Sequence, residues 1–238
     1  MLVPARRHDL EWMDRRDNSR ADLEGALADI GTVNRYLGGS QIVVASVLPY
    51  LRETPPGGTL SVLDVGTGSA DVPRALVVAA RGADRAIRVV AVDRDPETSA
   101  LARRESAAYP EIEVRTGDAL TLDLPAASFD LVTASLFLHH FPHESAVALI
   151  RELRRIARRV VIVNDLRRHA IPWAFIALAA RVTRRHPMFV HDAPLSVLRG
   201  FTEEELRSIA ADAGAPGATV ARRWPFRLLF TVPAEGAS

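Results

Sequence analysis

Apolar residues in the first fifty positions recur at helical spacing. Leu23, Leu27, Ile30, Val33 and Leu37 fall three or four apart, which puts them on one face of a helix, and Ser19 stands where it can cap the first turn. Gly38 and Gly39 close that helix. A second apolar stretch, 41–52, predicts another helix with Pro49 awkwardly inside it, and residues 55–58 break the chain.

Beyond the break the period changes. Short runs that are apolar throughout appear at 60–65, 87–92, 112–115, 129–134 and 160–163. Helical patterns at 72–81, 97–108 and 144–157 separate most of them. Continuous apolar strands alternating with helices predict a parallel sheet covered on both faces. Thr202 with Glu205 forms a capping box for a further helix that Gly214 ends. The runs 219–224 and 226–232 then follow, hinged at Pro225, and so short a connection requires an antiparallel pair. The predicted fold is a single α/β, doubly wound, Rossmann-like domain with a seven-stranded sheet and an antiparallel C-terminal hairpin. Its parts are a helical cap at 1–56, a core at 57–168, a helical lid insertion at 169–200, and a terminal helix and hairpin at 201–238.

Composition narrows the chemistry. The 238 residues carry a formal charge of +1, which gives no global case for nucleic acid. All 30 basic residues are arginine. This uniformity reads as a compositional bias, so the pairs at 6–7, 15–16 and 184–185 are expected on solvated faces. Cysteine is absent, which removes disulfides, thiolate metal sites and cysteine nucleophiles. No signal-peptide pattern opens the chain. The most apolar stretch, 170–182, falls short of the roughly 20 residues a membrane span needs. A cytoplasmic monomer or homodimer is expected.

The run Val62-Leu63-Asp64-Val65-Gly66-Thr67-Gly68-Ser69-Ala70-Asp71 leads a strand through a glycine turn into a helix. That arrangement points backbone N–H groups at a ligand outside the strand ends. A dinucleotide fingerprint would place a third glycine where Asp71 stands, which counts against a nicotinamide enzyme. The acidic residue before Gly-x-Gly instead resembles motif I of the class I S-adenosylmethionine-dependent methyltransferases. Asp93 at the end of the second strand, Gly117-Asp118-Ala119 after the third and Phe129-Asp130 opening the fourth resemble the family's later motifs in order. The resemblance implies S-adenosylmethionine as cofactor. It also implies contacts from Asp64, Gly66, Thr67, Gly68, Ser69, Asp93, Arg94, Asp118, Ala119 and Ser135, with Asp93 on the ribose hydroxyls.

By the same resemblance, the end of the fourth strand faces the transferable methyl group. The Pro-Pro motif of enzymes that methylate nucleobase amino groups or glutamine amides is missing there. The chain instead reads Ser135-Leu136-Phe137-Leu138-His139-His140-Phe141, similar to the small-molecule methyltransferases of quinone, lipid and natural-product pathways. Histidine suits deprotonation of a hydroxyl acceptor, so His140, or else His139, is the expected base. Asn164, Asp165, Arg167, His191 and Asp192 are expected to contact the acceptor, and no convincing carboxylate set for a metal is evident. The expected reaction is O-methylation of a hydrophobic, hydroxylated small molecule. C-methylation of an activated ring and a non-catalytic cofactor-binding protein of the same fold are the alternatives.

Overall fold

The computed structural model describes residues 3–15, 18–36, 38–183 and 185–236; Leu37, Arg16 and Arg184 lie outside them. Helix α1 (Arg20–Tyr36) begins at the expected cap, where Ser19 Oγ accepts from the Asp22 N–H at 3.2 Å. Gly38, at φ +69°, turns the chain directly into α2 (Gly39–Glu53), which runs through Pro49. The core then alternates β1 (Thr59–Val65), α3 (Asp71–Gly82), β2 (Ala86–Asp93), α4 (Pro96–Glu105), β3 (Ile112–Thr116), β4 (Phe129–Ser135), α5 (His143–Ile156) and β5 (Ala157–Leu166). Helices α6 (Ala170–Val182), α7 (Pro187–Arg199) and α8 (Glu203–Asp212) precede the hairpin of β6 (Thr219–Arg223) and β7 (Arg227–Pro233).

The strands form one seven-stranded sheet in the order β3-β2-β1-β4-β5-β7-β6. Five strands are parallel, and β7 runs antiparallel to both β5 and β6. Alternate residues of the apolar runs serve opposite faces. Val62, Val89, Leu131 and Ile162 pack with α2 and α3, whereas Leu63, Val90, Val132 and Val163 pack with α5 and α8. This is why the central strands read as apolar without interruption. The chain winds outward from β1 to β3 and returns to β4, so the order reverses between β1 and β4. A crevice opens outside the carboxyl ends of such a pair.

Helix α7 was not predicted. Pro187 occupies its first turn, where the missing N–H costs nothing, but Pro194 lies inside it and masks the helical pattern. Its start is tied to α1, since Asp29 accepts from the His186 N–H at 2.7 Å and from Arg185 at 2.9 Å. The capping box of α8 forms as expected, with Thr202 and Glu205 each accepting from the other's backbone N–H.

At the reversal point lies a buried carboxyl. Asp64 on β1 accepts from Thr133 Oγ1 on β4 at 2.6 Å and from Thr67 Oγ1 in the following turn at 2.7 Å. Burial outweighs these bonds and pushes its pKa up to about 7. The unfolded chain holds this proton with a pKa of about 3.9, so the folded state binds it more tightly. The stability it contributes is therefore complete below about pH 4 and lost as pH rises through about 7. Asp64→Asn should flatten the fall in thermal midpoint between pH 5 and 8, measured without cofactor. An unchanged slope would mean that Asp64 is ionised in the folded protein.

Candidate active site

The crevice holds a cavity of about 890 Å³ that runs from the β1, β2 and β3 strand ends to the region beneath α6 and α7. Its first half is built from the glycine turn. Gly66 and Gly68 adopt φ +63° and +55°, and Ala70 follows at +60°. A Cβ on Gly66 would lie 2.1 Å from the Phe137 ring, so only glycine fits. Thr67 N–H donates to Val92 O at 3.0 Å, and Gly68 N–H donates to Asp93 Oδ2 at 3.0 Å. Asp93 also accepts from Asp95 N–H at 3.1 Å, and burial raises its pKa.

Gly66, Thr67, Gly68, Ser69, Asp93, Arg94, Asp118, Ala119 and Ser135 all line this cavity. Asp118 is exposed and caps its own turn through the Leu120 N–H. Asp64 does not line the cavity; it braces the turn from beneath. The backbone that glycine leaves open and the carboxylate at the end of β2 are features a nucleoside sulfonium cofactor requires.

The second half is largely apolar. Leu10, Met13, Phe137, Phe141, Ile176 and Phe189 line it, together with Phe226 from the hairpin turn. Of the aromatic residues in the lid, Phe189 lines the cavity, while Trp173 and Phe175 are exposed outside it. Between the two halves stands the histidine pair, on the 3-10 turn that follows β4.

His139 is almost fully buried. Its backbone N–H donates to Asp165 Oδ2 at 3.0 Å, and its Nδ1 pairs with Asp165 Oδ1 at 2.7 Å. Burial alone would lower its pKa, but Asp165 and then Glu11 outweigh that and raise it to about 9. Its Nε2 faces Glu11 Oε1 at 3.6 Å, too far for a hydrogen bond. His140 is part-exposed and lines the cavity, with Nδ1 held by Asp14 Oδ2 at 3.1 Å. Burial would raise the pKa of Asp14, yet His140 and Arg199 hold it well below the usual carboxylate range.

Glu11 and Asp14 belong to an N-terminal strap whose role the sequence did not reveal. Asp192 on α7 accepts from the N–H groups of Trp12 at 2.8 Å and Met13 at 3.0 Å. His191 stacks on Trp12 at 4.1 Å. Arg6, expected on a solvated face, instead donates to the carbonyls of Arg199, His139 and Phe141. Arg199 donates to Asp9 O and His140 O and pairs with Asp14.

The expected acceptor contacts are therefore redistributed. Asn164, Asp165 and Arg167 do not line the cavity. Asn164 Nδ2 donates to Gly39 O and Ser135 Oγ, Asp165 holds His139, and the Arg167 N–H donates to Phe226 O. His191 lies outside the cavity wall, and Asp192 reaches it with both oxygens already engaged. Among the described residues, Glu11, His139 and His140 form the one group whose side chains could hold a metal ion.

Residues 62–159 match the model of the methyltransferase domain family. A methyltransferase of Mycobacterium tuberculosis, itself uncharacterised, is 31% identical over 186 residues, which cover 74% of this chain and 88% of the relative. Magnesium protoporphyrin IX methyltransferase from Synechocystis, solved with bound S-adenosylmethionine, superposes with a TM-score of 0.57 at 18% identity, covering 94% of this chain and 88% of its own. The DszA carbon methyltransferase superposes at 0.63 with 14% identity, covering 87% and 55%. The mycobacterial identity, extending over most of both chains, joins the glycine turn and Asp93 at the reversal point in one conclusion: the chain belongs to the class I S-adenosylmethionine-dependent methyltransferases.

Proposed function

We propose that this methyltransferase transfers its methyl group to the hydroxyl of a hydrophobic, phenol- or quinol-like small molecule. The observation that carries this reading is the position of His140. It is a part-exposed histidine at the junction of the cofactor half and the apolar half, and a carboxylate orients its ring. Cavities that bind small molecules range over roughly 300–1,000 Å³, and one of about 890 Å³ leaves room for an acceptor beside the cofactor.

S-adenosylmethionine supplies a methyl group on a sulfonium, which makes it open to in-line displacement. The chain's own part is positioning and proton removal. Asp14 fixes the His140 tautomer through Nδ1, leaving Nε2 to accept the acceptor's proton. Held at the Gly66–Gly68 turn and Asp93, S-adenosylmethionine would supply the methyl group to the acceptor oxygen, while His140 releases the proton it has taken to solvent. The apolar walls and α6 and α7 exclude water from the reacting oxygen. Asp165, which accepts from the His139 backbone N–H and pairs with its Nδ1, holds this turn in position.

Two variants test the division of labour. Asp93→Ala should weaken S-adenosylhomocysteine binding by at least tenfold in calorimetric titration, because the ribose hydroxyls lose a paired acceptor; near-normal binding removes Asp93 from the cofactor site. His140→Gln should lower turnover of a phenolic acceptor by about 10²-fold or more, the usual contribution of a general base. Its affinity for S-adenosylhomocysteine should stay within about threefold. Full turnover by His140→Gln, or a product methylated on carbon, would overturn the O-methylation reading.

A further inference from the structure

Two side-chain atoms in the wall of the acceptor half are buried and face each other without a partner. Glu11 Oε1 and His139 Nε2 make no hydrogen bond to any group, and both residues are at least nine-tenths buried. They lie 3.6 Å apart. Two ligands bound to one tetrahedral zinc ion at about 2.1 Å are separated by roughly 3.4 Å. A nitrogen of His140 completes the group, and the three ligand atoms fall within 4.8 Å of one another.

The surroundings repeat what metal-binding histidines need. Such histidines give their second nitrogen to a carboxylate, which fixes the ring and raises its basicity. His139 Nδ1 pairs with Asp165 at 2.7 Å, and His140 Nδ1 with Asp14 at 3.1 Å. Each imidazole thus turns its Nε2 away from its own carboxylate. One cation already stands near: Arg199 Nη1 is 3.5 Å from Glu11 Oε1. Its hydrogen bonds, however, go to Asp9 O, Asp14 and His140 O. The Arg199 guanidinium is satisfied without Glu11.

We propose that Glu11, His139 and His140 bind a divalent transition-metal ion, two imidazoles and one carboxylate on one side with open positions toward the acceptor half of the cavity. Two nitrogen ligands favour zinc and its neighbours over magnesium, which demands oxygen ligands in octahedral geometry. This departs from the sequence expectation of no metal. What the ion would do rests on the hydroxyl-acceptor reading above, but not on His140 as base: with His140 a ligand, the ion would acidify the hydroxyl in its place and the proton would leave to water. Whether the ion binds does not rest on that reading.

The test is metal binding by the full chain, freed of metal with a chelator and titrated with zinc, then with cobalt to record ligand-field absorption. One zinc ion per chain is expected, along with a tetrahedral or five-coordinate cobalt spectrum and no displacement by millimolar magnesium. Glu11→Gln should abolish stoichiometric binding, and Asp14→Asn, which removes only a supporting carboxylate, should weaken it by about 10–100-fold. Both variants should bind S-adenosylhomocysteine as the wild type does, which shows that they are folded. The proposal is overturned if the wild type takes up no ion, or if Glu11→Gln binds zinc as tightly as the wild type; the group is then an imidazolium held between two carboxylates. Stoichiometric zinc binding without methylation of any hydroxyl acceptor would uphold the site and defeat only the acceptor reading.

Discussion

At the end of β5, Asp165 is buried with both oxygens committed to one neighbour: one accepts the backbone N–H of His139, the other faces its ring. The backbone N–H of Leu166 adds a third bond. These contacts tie the turn after β4 to the adjacent strand of the rigid sheet. They fix which way the histidine pair points and where the polypeptide crosses the mouth of the crevice. Removing one partner of such a buried charged pair typically costs about 3–5 kcal/mol, because the other is left uncompensated. The turn cannot shift without that penalty, so the site inherits the stiffness of the core.

The remaining wall is assembled onto that fixed turn by backbone capture. Asp192 collects two consecutive N–H groups of the strap, and Arg6 and Arg199 collect the carbonyls of residues on either side. Irregular backbone carries donors and acceptors that no ladder satisfies, and here charged side chains from distant segments satisfy them. The consequence is functional. The strap brings Leu10, Glu11, Met13 and Asp14 onto the cavity wall, so the same bonds that stabilise an irregular segment also shape the pocket.

What could be read from the sequence divides along this line. The sheet, its order reversal and the glycine turn are encoded by neighbouring residues: apolar runs, Gly66 and Gly68, and an acidic residue at the end of a strand. Their local pattern is their function, and the structure places nine of the ten expected cofactor contacts on the cavity wall. Asp64 is the exception, since a residue at a strand end can face the ligand or brace the turn from below, and periodicity does not distinguish the two. Helix α7 was hidden by Pro194, although the capping histidine and Pro187 that open it were visible. Asn164, Asp165 and Arg167 were placed in the site because they end a strand there. Strand-end position fixes proximity to the crevice but not which side of its wall a side chain serves.

Glu11 and Asp14 could not be read at all, and the reason is physical. Glu11 is 128 residues from the histidine it faces, on a segment with little regular structure of its own, and no local pattern records such a meeting. The cofactor half is built from the carboxyl ends of adjacent parallel strands, each a short local pattern in the sequence. The other half of the cavity is built from a strap, two lid helices and a hairpin turn, segments brought together from distant parts of the chain. Class is therefore legible in contiguous residues, whereas acceptor identity resides in contacts that only the folded chain creates.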